Sequence, residues 1–337
     1  MTSLIDIATI WAFIIAFAVF IYVVMDGFDL GLGMLFPLFP EKADRDVIMN
    51  SVAPVWDGNE TWLVLGGGGM MAAFPLAYSV LMPALYTPMI AMLIGLIFRG
   101  VAFEFRWRTT QSTRNRWDLA FAGGSLLAAL AQGIALGAIL QGVHVEGRHY
   151  AGGWWDWLTP FSLLTGLALI VGYALLGATW LVLKTESELR DKAYRLSWPL
   201  VFAMLGAIGA VSLATPFLHI QYAQRWFTWP NVLFTAPVPI AVASVTALLL
   251  LSLANKQDNQ PFFLSLALFM LSYAGLGISM WPYIVPQSIT IWQAASPENS
   301  QLFMLVGVAV LVPLILGYTA WAYWVFRGKV HPGSGYH

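Results

Sequence analysis

Long stretches without any charged residue limit the fold of this chain more than any other feature of its sequence. Eight stretches of 19 residues or more contain no Asp, Glu, Lys or Arg: 7–25, 61–98, 119–145, 157–183, 196–224, 226–255, 259–297 and 299–326. A membrane-spanning helix needs about 20 predominantly apolar residues. Only 10% of the residues are charged, whereas soluble proteins average about 25%. The sequence therefore predicts an all-α, polytopic membrane protein.

The second stretch, 61–98, is too long for one membrane span and too short for two. It accommodates two spans if the helix before it begins near Val47 and carries Asp57 and Glu60 into the membrane. A tight outer turn bracketed by prolines, at 75–83, would then separate the two spans.

The stretch 259–297 is interpreted as one span that ends near Tyr283 and is followed by a polar loop. With this interpretation, the chain has nine spans and forms a single membrane domain over residues 1–337. The predicted spans are 5–35, 47–74, 79–104, 118–140, 160–183, 197–218, 230–254, 261–283 and 301–326.

The distribution of basic residues predicts the orientation of these spans. The loops after odd-numbered spans and the C-terminal tail contain thirteen of them: Lys42, Arg45, Arg106, Arg108, Arg114, Arg116, Lys184, Arg190, Lys192, Arg195, Lys256, Arg327 and Lys329. The loops after even-numbered spans contain only Arg148 and Arg225. Because cytoplasmic loops of membrane proteins are enriched in Lys and Arg, we expect the C-terminus in the cytoplasm and the N-terminus outside.

Seven ionisable residues fall within or at the ends of the first four predicted spans, where charge is costly and by default suggests function. They are Asp26, Asp29, Asp57, Glu60, Arg99, Glu104 and Asp118. Asp26 and Asp29 are three residues apart, as are Asp57 and Glu60, so each pair shares a helix face. Asp57 lies ten residues beyond Val47, which predicts a depth of about 15 Å in the membrane.

These charges have two interpretations from the residues alone. In the first, Arg99 neutralises Asp29 or Asp26 and the ion pair locks the helices together. In the second, the carboxylates form a proton path from the cytoplasm through Asp57, because a carboxyl group in apolar surroundings can release and regain a proton near neutral pH. Arg99 suits the first role, since a guanidinium is hardly ever deprotonated.

Histidine and cysteine usage limits the chemistry of the chain. Cysteine is absent. The five histidines all lie in loops, in the tail or at helix ends: His144, His149, His219, His331 and His337. A b-type haem held by paired imidazoles needs histidines within the spans, so we expect neither haem nor metal bound by this chain alone. The net charge of −1 argues against a nucleic-acid partner, which requires a basic face.

Six motifs follow one another along the chain: MDGFDLGLGML at 25–35, MNSVAPVWDGNETW at 49–62, FRGVAFEFR at 98–106, RWDLAFAGGS at 116–125, WPYIVPQS at 281–288 and LGYTAWAYWVF at 316–326. Together they resemble subunit II of the cytochrome bd family of quinol oxidases, over essentially the whole chain. The outer loop at about 219–229 is short, as in the compact branch of the family, which includes cyanide-insensitive oxidases.

The resemblance implies a function for the complex. Such a complex, in the bacterial cytoplasmic (inner) membrane, reduces O2 to water with electrons from quinol. Haem b, haem d and the quinol-oxidising loop are expected in subunit I. Subunit II is expected as two four-helix bundles plus one peripheral helix, packed against subunit I, supporting haem assembly and conducting protons. A structural ubiquinone, a small accessory subunit and membrane lipid are further expected partners.

The resemblance also implies roles for individual residues. The acid of the WDGN motif falls on Asp57, whose expected role is proton transfer, with Glu60 beside it in the path. The remaining membrane charges are expected to form a structural ion cluster of Asp26, Asp29, Arg99 and Asp118. No directly catalytic residue is expected in this chain.

Two other functions fit the charge pattern. A stand-alone proton-coupled membrane transporter would use the same carboxylates, and the Asp-Gly pairs at 26–27 and 57–58 could break helices there. A purely structural scaffold would need no proton role for Asp57. Haem bands that co-purify with a larger partner would distinguish an oxidase subunit from a transporter.

Overall fold

The computed structural model describes residues 6–331 and 333, and helices dominate them. The helices are α1 Ile7–Leu35, α2 Lys42–Val52, α3 Trp56–Ala73, α4 Pro75–Ala84, α5 Tyr86–Arg108, α6 Gln111–Gln141, α7 Pro160–Lys184, α8 Ser187–Leu218, α9 Ile220–Phe227, α10 Val232–Thr235, α11 Pro237–Ala254, α12 Gln260–Met280, α13 Ile291–Ala294 and α14 Glu298–Val325. A 3-10 turn, Phe36–Leu38, follows α1. Two antiparallel strand pairs complete the described structure: β1 Val145–Glu146 with β2 His149–Tyr150, and β3 Tyr283–Val285 with β4 Ile289–Thr290.

Eight helices within the described residues are long and apolar enough to cross a membrane. They are α1, α5, α6, α7, α8, α10 together with α11, α12 and α14. The region predicted as the second span is not among them, so the count of nine stays a prediction. The all-α, polytopic membrane class is confirmed.

The predicted continuous span at 47–74 is wrong in one respect. The chain forms two helices there, α2 and α3, separated by residues 53–55. Pro54 lies at this break, and proline lacks the N–H that would continue the helix. Ala53 keeps helical backbone angles, whereas Val55 departs from them. Asp57 consequently lies in the first turn of α3.

The predicted tight turn at 75–83 is also wrong, because this segment is the helix α4. Pro75 stands in the first turn of α4, where its missing N–H has no helical partner to lose. α4 is a short apolar helix that joins α3 to α5.

The connections between helices gather at two opposite ends of the molecule. At one end, Lys192 Nζ lies 2.9 Å from Asp44 Oδ2, and Asp258 lies 3.0 Å from both Arg190 and Lys329. We call this the basic end; it comprises 41–46, 106–118, 184–195, 255–258 and 326–331. At the opposite end, Ser296 N donates to the Ala73 carbonyl at 2.9 Å, and the His219 ring bonds the Gln141 carbonyl at 2.7 Å.

Close helix contacts form the centre of the fold. A Cβ atom at Gly31 of α1 would overlap the Tyr173 carbonyl oxygen of α7, and one at Gly177 would lie 2.6 Å from the Gly31 carbonyl carbon. Small residues permit such backbone approach between membrane helices. α14, by contrast, is exposed along most of its length, and Gln301 is its one buried residue.

Candidate functional site

Arg99 on α5 is the centre of a buried charge cluster. Its side chain is fully buried, and Nη2 donates a short hydrogen bond to Asp26 Oδ1 on α1. On α3, Glu60 Oε2 lies 3.7 Å from Arg99 Nη1. The guanidinium also lies over the Trp56 ring, 5.5 Å from its centroid, where the ring face attracts a cation. Arg99 therefore joins α1, α3 and α5.

Asp29 is hydrogen-bonded to an uncharged side chain, that of Asn59, rather than to Arg99. Asn59 Nδ2 donates to Asp29 Oδ2 at 2.8 Å, and both residues are buried. Tyr323 on α14 donates its hydroxyl hydrogen to Asn59 Oδ1, also at 2.8 Å. α14 thus reaches the cluster by a chain of two hydrogen bonds.

A second hydrogen-bond chain begins beside Asp26. Tyr22 lies one turn before Asp26 on α1, and its hydroxyl accepts a hydrogen bond from Gln132 Nε2 at 2.6 Å. Tyr173 of α7 donates to Gln132 Oε1 at 2.8 Å. These contacts bring α6 and α7 into the same polar region.

The cluster has more negative than positive groups. Asp26, Asp29 and Glu60 surround the single guanidinium of Arg99. Several buried polar atoms have no hydrogen-bond partner among the described residues: Asp26 Oδ2, Asp29 Oδ1, and Nε and Nη1 of Arg99. Unsatisfied polar groups are costly in apolar surroundings and are commonly satisfied by internal water. The site has the composition needed to hold an exchangeable proton.

Asp57 lies outside this buried cluster. Its side chain is exposed on the surface of α3, on the same stripe as Thr61 and Val64. Glu60, one turn further along α3, is 29% exposed and lies 3.7 Å from Arg99. The two residues expected in the proton path are therefore neighbours on α3 but differ in burial.

Asp118 belongs to a different network, so its grouping with Arg99 was wrong. Arg106 Nε donates to Asp118 Oδ1 at 2.6 Å, and Arg45 Nη1 to Asp118 Oδ2 at 2.8 Å. Arg106 Nη1 also lies 2.7 Å from Asp46 Oδ1. The reason is helix geometry: Arg106 lies seven positions after Arg99 on α5, which amounts to about 10 Å along the helix axis.

The neutral members of the site were missed by the sequence analysis. Asn59 and Gln132 carry no charge, and tyrosines in an apolar chain are usually interfacial anchors. A signal was available in Gln132, an amide near the middle of the uncharged stretch 119–145, whose other amide, Gln141, lies near its end. Glu104, the remaining acid of the first four spans, is exposed and lies 3.2 Å from Arg108.

The described histidines do not fit a haem held between two imidazoles inside the helices. His144 is largely exposed, His149 lies in β2, and the His219 ring is bonded to a backbone carbonyl at a helix end. The described residues also bring together no group of three His, Cys, Asp or Glu that could hold a metal ion.

Comparisons with known proteins identify the family. Residues 7–326 match the model of the family "Cytochrome bd terminal oxidase subunit II". The chain is 31% identical to cytochrome bd-I ubiquinol oxidase subunit 2 of Escherichia coli K12, over 95% of this chain and 94% of the relative. It is 26% identical to cytochrome bd ubiquinol oxidase subunit 2 of Bacillus subtilis, over 98% of each chain.

A solved structure has the same fold. It is the bd oxidase of Geobacillus thermodenitrificans, with a TM-score of 0.73 at 17% identity, over 95% of this chain and 99% of the matched chain. The family match covers nearly the whole sequence. The described helices also agree with a protein that crosses the membrane several times. The chain therefore belongs to the cytochrome bd terminal oxidase subunit II family and is a subunit of a bd-type quinol oxidase.

Proposed function

We propose that this chain conducts protons toward the site of oxygen reduction and supports assembly of the haem-bearing subunit I. In this proposal, haem b and haem d belong to subunit I, which oxidises quinol. The complex lies in the bacterial cytoplasmic membrane with its basic end in the cytoplasm, where the excess of Lys and Arg would be expected. A structural ubiquinone and a small accessory subunit are expected from the family alone.

The position of Glu60 is the observation that carries this proposal. Its carboxylate contacts Arg99 at 3.7 Å, yet its side chain is 29% exposed. A group with access both to a buried cluster and to the surface can exchange protons between them.

Asp57 supports a route to Glu60 from the surface of α3. An ionised carboxylate facing lipid would be costly at membrane depth, and Asp57 is exposed in this chain. We therefore infer that subunit I covers this face of α3 and that Asp57 lies where the two subunits meet. Protons would pass from Asp57 to Glu60 or to water between the two.

Arg99 has a structural part in the same proposal. A guanidinium is a poor proton relay because it stays protonated. Its short hydrogen bond to Asp26 and its cation–π contact with Trp56 suit a residue that holds three helices in place. Because the chain belongs to the oxidase family, the alternative function of a stand-alone proton-coupled transporter is set aside.

The test compares Asp57→Asn and Glu60→Gln in the purified two-subunit complex. We expect oxygen consumption with quinol to fall at least about tenfold in each, because loss of a positioned proton carrier slows the step it serves. The haem spectrum should stay intact. Glu188→Gln is the matched control, because Glu188 is an exposed carboxylate at the start of α8. Normal turnover in both test variants would leave only the scaffold function.

A further inference from the structure

We propose that Asp29 holds the exchangeable proton of the Arg99 cluster, and that this proton is bound to its Oδ1 atom. Glu60 then passes protons between the surface of α3 and Asp29, while Asp26 remains the ionised partner of Arg99. This inference rests on the proposed function and deepens it, because it names the atom at the inner end of the proton route.

The first step concerns how three carboxyl groups share one guanidinium. Asp26 accepts a short hydrogen bond from Arg99 and forms the ion pair with it. Asp29 is fully buried, and its hydrogen bond comes from the neutral amide of Asn59. Burial without an ion pair favours the protonated form of a carboxyl group. Glu60 is 29% exposed and lies 3.7 Å from Arg99, so water and the guanidinium both favour its ionised form.

The second step concerns which oxygen of Asp29 carries the proton. Asn59 Nδ2 donates to Oδ2 at 2.8 Å, so this oxygen acts as an acceptor. Tyr323 fixes this orientation of the amide, because its hydroxyl donates to Asn59 Oδ1, also at 2.8 Å. The other oxygen of Asp29, Oδ1, has no hydrogen-bond partner among the described residues. A proton on Oδ1 would turn this buried acceptor into a donor.

The third step concerns the acceptor for that donor. Asp26 Oδ2 is also buried and also lacks a hydrogen-bond partner within the described part of the chain. Asp26 and Asp29 lie three positions apart on α1, so their side chains are neighbours on one helix face. One proton on Asp29 therefore satisfies both oxygens, directly or through one buried water. Two ionised carboxylates would instead meet as acceptors beside a single cation.

The fourth step concerns exchange of this proton with Glu60. Arg99 Nη1 has no hydrogen-bond partner among the described residues, and it faces Glu60 Oε2 at 3.7 Å. Polar groups separated by this distance are commonly bridged by water. Such water would connect Glu60 with the acid group of Asp29, while Arg99 itself stays protonated. This connection makes the proton on Asp29 exchangeable.

The test is infrared spectroscopy of Asp29→Asn in the purified two-subunit complex. An asparagine amide imitates the protonated acid, because its oxygen can accept from Asn59 and its amino group can donate to Asp26. Haem content should therefore stay close to that of the wild type, whereas one infrared band of a protonated carboxyl should disappear. Turnover should fall at least about tenfold, since the proton carrier is lost. Glu188→Gln, at the exposed start of α8, should change neither the band nor turnover.

Exchange with D2O links this band to the proton route. In the wild type, the band should shift within the time of a few turnovers. In Glu60→Gln, it should remain present but shift at least about tenfold more slowly. The assignment to Asp29 would be overturned if Asp29→Asn lost no band or if the band disappeared in Glu60→Gln. Normal turnover in Asp29→Asn would overturn the transfer of its proton.

Isotope labelling provides a measurement in the wild-type complex that needs no substitution of Asp29. Labelling the side-chain carboxyls of aspartate with ¹³C should shift the band whose deuterium exchange is slowed in Glu60→Gln. Labelling those of glutamate should leave this band in place, and the opposite result would overturn the proposal. Failure of the proposed function has a different signature, which is normal turnover in both Asp57→Asn and Glu60→Gln.

Discussion

Arg99 is the single residue on which the buried cluster depends. It is the one cation that both Asp26 and Glu60 contact, and its side chain is fully buried. Removing one partner of a buried ion pair leaves an uncompensated charge and commonly costs about 3–5 kcal/mol. The cluster therefore holds α1, α3 and α5 in register only while Arg99 is present.

Arg99→Ala should lower the yield of assembled complex and its haem content per protein. The physical reason is the uncompensated carboxylate of Asp26 in an apolar core. Arg108→Ala is the control, because Arg108 is 78% exposed and its ion-pair partner among the described residues is the exposed Glu104, a kind of pair that contributes about 1 kcal/mol or less. Haem content and thermal denaturation of the purified complex measure both variants. Wild-type yield and haem in Arg99→Ala would contradict a structural role.

Charged residues of the site could be found from the sequence, whereas the neutral partners Asn59 and Tyr323 could not. Asp26 and Arg99 are conspicuous because charge is rare in a chain of this composition. Asn59 and Tyr323 are separated by 264 positions along the chain, and no local pattern indicates that they meet. Burial of Asp57 was inferred from its depth along a continuous helix, and the break before α3 removed that premise.

At the scale of helices, glycine sets how closely α1 and α7 approach. Gly31 lies against the backbone of Tyr173, and Gly177 lies against the backbone of Gly31. Gly67 and Gly68 of α3, in contrast, have nothing within 4 Å of a hypothetical Cβ. The glycine run 66–69 is therefore only partly used for packing, since Gly66 and Gly69 alone face α1 side chains.

Gly31→Ala should destabilise the subunit severely, because the added methyl group would overlap the Tyr173 carbonyl oxygen. Overpacking of this kind costs about 1–3 kcal/mol or more. Gly206→Ala on α8, where a hypothetical Cβ has nothing within 4 Å, should be neutral or slightly stabilising, since alanine favours helix over glycine by about 1 kcal/mol. Melting temperatures of the two variant complexes check this contrast. Equal melting temperatures would contradict the close approach of α1 and α7.

Helices bounded by clear chemical signals agree with the sequence prediction. α7, Pro160–Lys184, coincides with the predicted 160–183, because Thr159 caps its start, Pro160 opens it and the apolar run ends at Lys184. Interrupted spans were harder to predict. Pro54 lies at the break in the second predicted span, but prolines within α8 and α14 do not end those helices. The presence of a proline alone therefore does not decide whether a helix ends.

At the scale of the whole molecule, ion pairs at the basic end hold separate loops together. Partial burial raises the pKa of the Asp258 carboxyl, but the hydrogen bonds and charges of Lys329 and Arg190 outweigh this effect and hold the pKa below its ordinary value. Lys329 also donates to the Val182 carbonyl at 3.1 Å. The segment after α14 is thus fastened to the loop between α11 and α12 and to the end of α7.

Acidification should loosen this fastening. Because the folded pKa of Asp258 is depressed, its contribution is fully present above the ordinary carboxyl pKa and is lost as the pH falls through the depressed value. The protection of the amides of residues 326–331, relative to their intrinsic exchange rates at each pH, should therefore fall at acidic pH in the wild type. In Asp258→Asn, this protection should already be lower at neutral pH and should depend less on pH. A pH profile of exchange that is identical in the two proteins would contradict the assignment.

Some properties of the whole molecule depend on local sequence, and others depend on packing between distant helices. The family and the all-α membrane class were identified from motifs and uncharged stretches, because both depend on local sequence. The separation of the Arg99 cluster from the Asp118 network, and the exposure of Asp57, depend on how helices distant in sequence are placed. The exposed face of α3 is where subunit I is expected to complete the proton route.

Proton uptake during a single turnover tests the proposed route most directly. The complex would be reconstituted in lipid vesicles, reduced with quinol and exposed to an oxygen pulse, with uptake followed on the side of the basic end. The account predicts that Asp57→Asn takes up protons at least about tenfold more slowly than the wild type, with haem content unchanged. Uptake at the wild-type rate in Asp57→Asn and Glu60→Gln would contradict it.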